Sequence, residues 1–110
     1  MKLLVFVLNQ VELLPAVLKK LEYAGLRGAT ILQSKGMAMT LSKSFGGSLL
    51  GSLYSMMDPD RDENKTVFMV LKDEEVQKAI ELIESEAGDF DKPNTGILFT
   101  VPVDFTKGIH

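Results

Sequence analysis

Asp58, Asp60 and Asp62 stand at alternate positions, the spacing with which carboxylates open a calcium-binding loop. Such a loop also needs Gly at its sixth position for the sharp turn and Glu at its twelfth as a bidentate ligand. Glu63 and Met69 occupy those places, so the run is expected to be a solvated acidic turn. The Gly-rich stretch Ser44-Phe45-Gly46-Gly47-Ser48 invites a phosphate-loop reading. It lacks both the Walker spacing and the Lys-Ser/Thr pair that would reach the phosphates and magnesium. Glu74, Glu75, Glu81, Glu84 and Glu86 share a helical segment with Lys78, and Glu74 and Lys78 form an i,i+4 pair. That is a solvated helix face rather than a pair of converging catalytic carboxylates.

The chain has no Cys, and its one His is His110. Thiolate metal sites, Cys nucleophiles, His-based triads and disulfide frameworks therefore lack their raw material. A net charge of −3 argues against a nucleic-acid module, whose affinity rests on clustered Lys and Arg. Acylphosphatase-like chemistry is disfavoured too, because no Arg lies between Leu8 and Leu14 to hold a phosphate. The expectation is a protein with no catalytic residues and no metal site.

What remains must come from how the elements are arranged. The 110 residues suffice for one domain, and 45% of them are hydrophobic, which leaves apolar side chains for a subunit interface. The run Leu3–Leu8 is too short to span a membrane or form a signal core, and the cytoplasm is the expected compartment. Leu3–Leu8 reads as a central strand buried on both faces. Leu13, Leu14, Val17, Leu18 and Leu21 recur at helical spacing, with Pro15 in the first turn and Gly25 as the stop. Arg27–Lys35 and Lys65–Leu71 are the second and third expected strands. Val76, Ala79, Ile80, Ile83 and Ala87 mark a second helix, with Asp73 as N-cap and Gly88 at its end. Ile97–Val103 closes the pattern, with Pro102 at an edge or terminus.

This order is β-α-β-β-α-β, and right-handed crossovers place both helices on one face of a four-stranded antiparallel sheet. That is a ferredoxin-like α+β sandwich forming a single domain over residues 1–110. A faint repeat supports two halves: Val5-Phe6-Val7-Leu8 matches Val67-Phe68-Met69-Val70, and Ala24-Gly25 matches Ala87-Gly88. Either Val67, Met69 and Leu71 or Thr66, Phe68 and Val70 must then meet something other than the helices, and self-association is the simplest partner. The connection from about residue 37 to 64 is expected to be irregular, apart from a short amphipathic helix over Phe45–Met57. Phe45, Leu49, Leu53 and Tyr54 are its candidate partner-binding residues. That segment has few basic residues, so any membrane association is expected only through a partner.

Ala24-Gly25-Leu26-Arg27-Gly28-Ala29-Thr30-Ile31, followed by Lys35-Gly36, resembles a passage of the P-II nitrogen regulatory signalling family. The strand Gly96-Ile97-Leu98-Phe99-Thr100-Val101-Pro102-Val103-Asp104 is similar to that family's last strand. The resemblance covers both halves of the repeat, and the loop contents are poorly matched. It implies a homotrimer with sheets turned inward, an adenine nucleotide (ATP, ADP or AMP) between subunits, and signalling through the 37–64 loop. Carried over by residue, Gly28 and Thr30 fall at the adenine end, and Lys35-Gly36 at the base of the loop beside the phosphates. Asn94, Thr95 and Gly96 replace a Gly-Asp-Gly turn, and Lys107 is the cation near the family's C-terminal basic pair. The chain departs from the pattern where Ile97 replaces a phosphate-binding Lys and where Gly108 and His110 replace the two basic residues. The resemblance thus implies a nucleotide held mainly by backbone groups, or a ligand less charged than ATP. The alternative from another class is a trimeric scaffold that senses no small molecule.

Overall fold

The structure is a computed structural model, described for residues 1–44 and 63–109. Its elements are β1 (Lys2–Leu8), α1 (Leu14–Tyr23), β2 (Thr30–Lys35), α2 (Met37–Ser44), β3 (Glu63–Leu71), α3 (Val76–Ala87) and β4 (Gly96–Pro102). Single 3-10 turns, Val11–Leu13 and Asp73–Glu75, lead into α1 and α3. The sheet is antiparallel throughout, in the order β2-β3-β1-β4. This is the expected ferredoxin-like arrangement.

The helices form where the apolar stripes required them. Leu14, Val17 and Leu21 of α1 and Ala79, Ile83 and Ala87 of α3 are buried, with Leu13, Leu18, Val76 and Ile80 packed around them. Pro15 sits in the first turn of α1, where its missing N–H removes no helical bond. Gly25, at φ +81°, ends the helix. Its N–H donates to the Glu22 carbonyl at 2.9 Å, and Leu26 N–H donates to the Leu21 carbonyl at 2.9 Å. This is a Schellman closure, and it swings Leu26 into the core.

Asp73 does not cap α3. Lys72 precedes the turn in extended geometry, and its N–H donates to Glu75 Oε1 at 2.8 Å. Asp73 instead accepts from the Met1 ammonium at 3.0 Å, which holds its carboxyl below the usual 3.8.

The helices cover one face of the sheet. Leu4, Phe6 and Leu8 of β1 and Val67, Met69 and Leu71 of β3 are buried beneath them. On the other face, register aligns Leu3 with Val70 and Val101, Val5 with Phe68 and Phe99, and Val7 with Thr66 and Ile97. Hence it is Thr66, Phe68 and Val70 that face away from the helices, and on that face Leu3, Val5 and Val7 of β1 are only partly buried.

The repeat is corrected at its strands. Phe6 and Phe68, which the repeat equates, lie on opposite faces, because a one-residue offset turns every strand side chain over. At the helix ends it stands, since Gly25 and Gly88 both terminate helices at positive φ.

The segment expected to be irregular begins with helix α2 and ends with Glu63 and Asn64 already in β3. The carbonyl of Gly36 accepts both Thr40 N–H (3.0 Å) and Thr40 Oγ1–H (2.8 Å), which fixes the first turn of α2. Ala38 and Leu41 are strong helix formers, but Met37 and Leu41 stay exposed, so the described side chains of this helix form no buried stripe. Phe45, Leu49, Leu53 and Tyr54, with the whole of the expected Phe45–Met57 helix, lie outside the described residues, as does the Asp58–Asp62 run.

Candidate ligand pocket at the loop end of the sheet

The antiparallel pairing gathers four chain segments at one end of the sheet. β1 and β2 finish there at Leu8 and Lys35, and β3 and β4 begin there at Glu63 and Gly96. An open pocket of ≈ 340 Å³ lies at this end, lined by Val7, Asn9, Asn64, Lys92, Pro93, Asn94, Gly96 and Ile97.

The loop carrying Lys92 to Asn94 is held at several points. Phe90 packs edge-on against Phe6, with ring centroids 6.4 Å apart at 76°. Its N–H donates to Glu84 Oε2 of α3 at 3.0 Å. Asp91 N–H donates to Asp89 Oδ1 at 2.8 Å, and Lys92 N–H to the Asp89 carbonyl at 3.1 Å, closing a side-chain-assisted turn. Asn94 then adopts φ +72°, a left-handed conformation that Asn tolerates better than most residues. Gly96 is required by shape: a Cβ there would lie 1.8 Å from the Val7 carbonyl oxygen, and its φ is +137°. The Thr95 carbonyl accepts Asn9 N–H at 3.1 Å, which extends the β1–β4 pairing into the pocket rim.

Asn64 forms the opposite wall. Ser34 Oγ–H donates to Asn64 Oδ1 at 2.5 Å, and Ser34 Oγ lies 2.7 Å from Thr66 Oγ1. With Oδ1 accepting from Ser34, the donor of the same amide is Nδ2. That nitrogen is also 3.6 Å from where a Cβ on Gly36 would stand. The pocket wall and the residue that starts α2 are therefore neighbours.

Of the residues expected to bind ligand, Asn94 and Gly96 line this pocket and Gly36 borders it through Asn64. Lys35 ends β2 opposite Glu63 at the same end of the sheet. Thr95 sits beside the pocket, its hydroxyl turned toward Gly88. Gly28 and Thr30 are elsewhere, at the start of β2, with Thr30 paired to Phe68. β2 and β4 are the two edge strands, so Thr30 and Gly96 are three strand spacings apart across the sheet, roughly 14 Å, and register places Thr30 level with Phe99, about 10 Å further along the strand. Lys107 follows the far end of β4 and does not line the pocket. Asn9, Asn64 and Lys92 are pocket residues that the sequence reading missed. Lys92 alone had a signal, as the cation immediately before the Pro93–Gly96 turn.

Among the described residues, the pocket at the end of this ferredoxin-like sandwich offers amides, one ammonium and apolar surface. The family model for nitrogen regulatory protein P-II matches residues 1–110, and the chain belongs to that family. None of the curated proteins compared with the chain matches it. P-II proteins are regulatory signalling proteins without enzymatic activity; they generally form trimers, bind adenine nucleotides and act on target proteins. Among the described residues no helix is long and apolar enough to cross a membrane, and no group of His, Cys, Asp and Glu is placed to hold a metal.

Proposed function

We propose that this chain is a cytoplasmic regulatory protein that works as a homotrimer, binds a small ligand between subunits, and signals to a partner through residues 37–64. The observation that carries the reading is the division of the expected ligand residues between two edge strands of one sheet. Gly28 and Thr30 sit at β2, while Asn94 and Gly96 sit at β4. A site between two protomers would bring both sets to one ligand. The apolar sheet face, with Val5, Phe68 and Phe99 in one row, supplies the surface that would hold protomers together.

The ligand would be an adenine nucleotide, ATP, ADP or AMP. Gly28 and Thr30 would meet the base, and Lys35, Gly36, Asn94, Thr95, Gly96 and the neighbour's Lys107 would serve the phosphate side. Signalling requires the ligand to prefer one arrangement of the loop, and a coupling of about 1–3 kcal/mol is typical. Asn64 provides a route, since it faces the pocket, is bonded to Ser34 of β2 and abuts Gly36. Thermal-shift measurements with ATP, ADP, AMP and cyclic nucleotides at millimolar concentration test the reading. A rise in melting temperature with at least one of them is expected. If none raises it, the chain is better read as a trimeric scaffold.

A further inference from the structure

β2 is an edge strand, and five of its six side chains are exposed; Ser34 is the exception. In the β2–β3 register Ser34 is level with Asn64 and diagonal to Thr66, within reach of both on the open face of the sheet. A serine hydroxyl has one proton to donate, and Ser34 gives it to Asn64 Oδ1 at 2.5 Å, an atom that can only accept. Toward Thr66 Oγ1, 2.7 Å away, Ser34 Oγ is therefore the acceptor. The relay thus has one direction, from the Thr66 hydroxyl to Ser34 and from Ser34 to Asn64.

The other end of the Asn64 amide, Nδ2, abuts Gly36, 3.6 Å from where a Cβ there would stand. The Gly36 carbonyl accepts the N–H and the hydroxyl of Thr40, which are the bonds that start α2. Gly36 follows β2 directly and Asn64 is the second residue of β3, so the relay joins the points where the chain leaves and re-enters the sheet. The end of a strand paired on one side only opens locally at little cost unless side chains hold it.

We propose that the Thr66–Ser34–Asn64 relay is a latch, with Ser34 as a positioning residue that holds the Asn64 amide against Gly36 and so fixes the start of α2. Asn64 also lines the pocket, so a molecule bound there and the first turn of α2 bear on one side chain. This rests on the reading above, in which residues 37–64 carry the signal, and adds to it the side chains that set where that segment begins.

The test is amide hydrogen exchange of the full chain without added nucleotide, followed residue by residue by NMR in wild type, Ser34→Ala, Ser34→Thr and Thr66→Val. Ser34→Ala is expected to speed exchange at Thr40 about fivefold or more, and Thr66→Val about threefold or more, while Leu4 and Phe6 of β1 keep their wild-type rates. Ser34→Thr keeps the hydroxyl in a side chain suited to a strand and should hold Thr40 within about twofold of wild type. The inference is overturned if Thr40 stays within about twofold of wild type in Ser34→Ala or Thr66→Val, or if Ser34→Thr exchanges as fast as Ser34→Ala. It is also overturned if Leu4 and Phe6 quicken by the same factor as Thr40, because Ser34 would then support the fold as a whole. Nucleotide thermal shifts are read separately. If Thr40 responds as expected and no nucleotide raises the melting temperature, the latch stands and the ligand reading falls; the reverse pair of results removes the latch alone.

Discussion

Single glycines in this chain answer to different demands. At Gly96 the demand is steric, because the Val7 carbonyl oxygen would lie 1.8 Å from a new Cβ. Gly96→Ala must separate β4 from β1 or distort the turn, and we expect it to cost ~2–4 kcal/mol, measured by urea unfolding. Gly36 is different: a Cβ there meets only Asn64 Nδ2, at an ordinary 3.6 Å. Gly36→Ala should leave the unfolding midpoint within about 0.5–1 kcal/mol of wild type, the range of an uncrowded Gly-to-Ala change. A fall in ligand affinity in that variant would therefore report on the site rather than on folding; a large loss of stability would show that Gly36 is structural. Asp73 sets a pH dependence. Its carboxyl is held below the ordinary 3.8 by the Met1 ammonium, so its contribution to stability is present above the unfolded carboxylate pKa and is lost as pH falls through the folded value. Denaturation curves of Asp73→Asn and wild type should differ at neutral pH and converge in acid; curves that stay parallel would show that the pair contributes nothing.

At the scale of elements, the α3–β4 loop depends on Phe90, which ties Lys92 and Asn94 to the core through Phe6 and to α3 through Glu84. Phe90→Ala removes a half-buried ring and an edge-to-face contact, for an expected loss of about 2–4 kcal/mol. It should also weaken ligand binding, because the loop then pays an ordering cost that the native contact already meets. Unchanged affinity in a destabilised Phe90→Ala would separate the loop from the site. Much of this level was legible in the sequence. The helical stripes ended in Gly25 and Gly88, and the four apolar runs became the four strands within a few residues at each end. Two features were hidden. Helix α2 leaves Met37 and Leu41 exposed, so its described side chains show no buried stripe of the kind by which helices are recognised. The faces of β3 were obscured because hydrophobic residues occupy both, and the repeat matched Phe68 to Phe6 one residue out of step. The pocket was half legible. Asn94 and Gly96 belonged to a visible turn, whereas Asn9 and Asn64 are 55 residues apart and meet only because β1 and β3 are antiparallel neighbours.

For the whole molecule, the apolar sheet face and the separation of Thr30 from Gly96 are the observations that support the proposed homotrimer. The proposed contact runs through the centre of the open face. Phe68→Lys, placed beside Val5 and Thr30, should give a folded protomer with unchanged far-UV circular dichroism that no longer associates. It should lose nucleotide binding at the same time, although the pocket at the loop end is several residues away. The most direct measurement is the molar mass of the wild-type chain by light scattering across a range of concentrations. The account predicts a mass near three times 12.1 kDa that persists on dilution. A mass near that of a single chain would contradict both the interface and the shared ligand site.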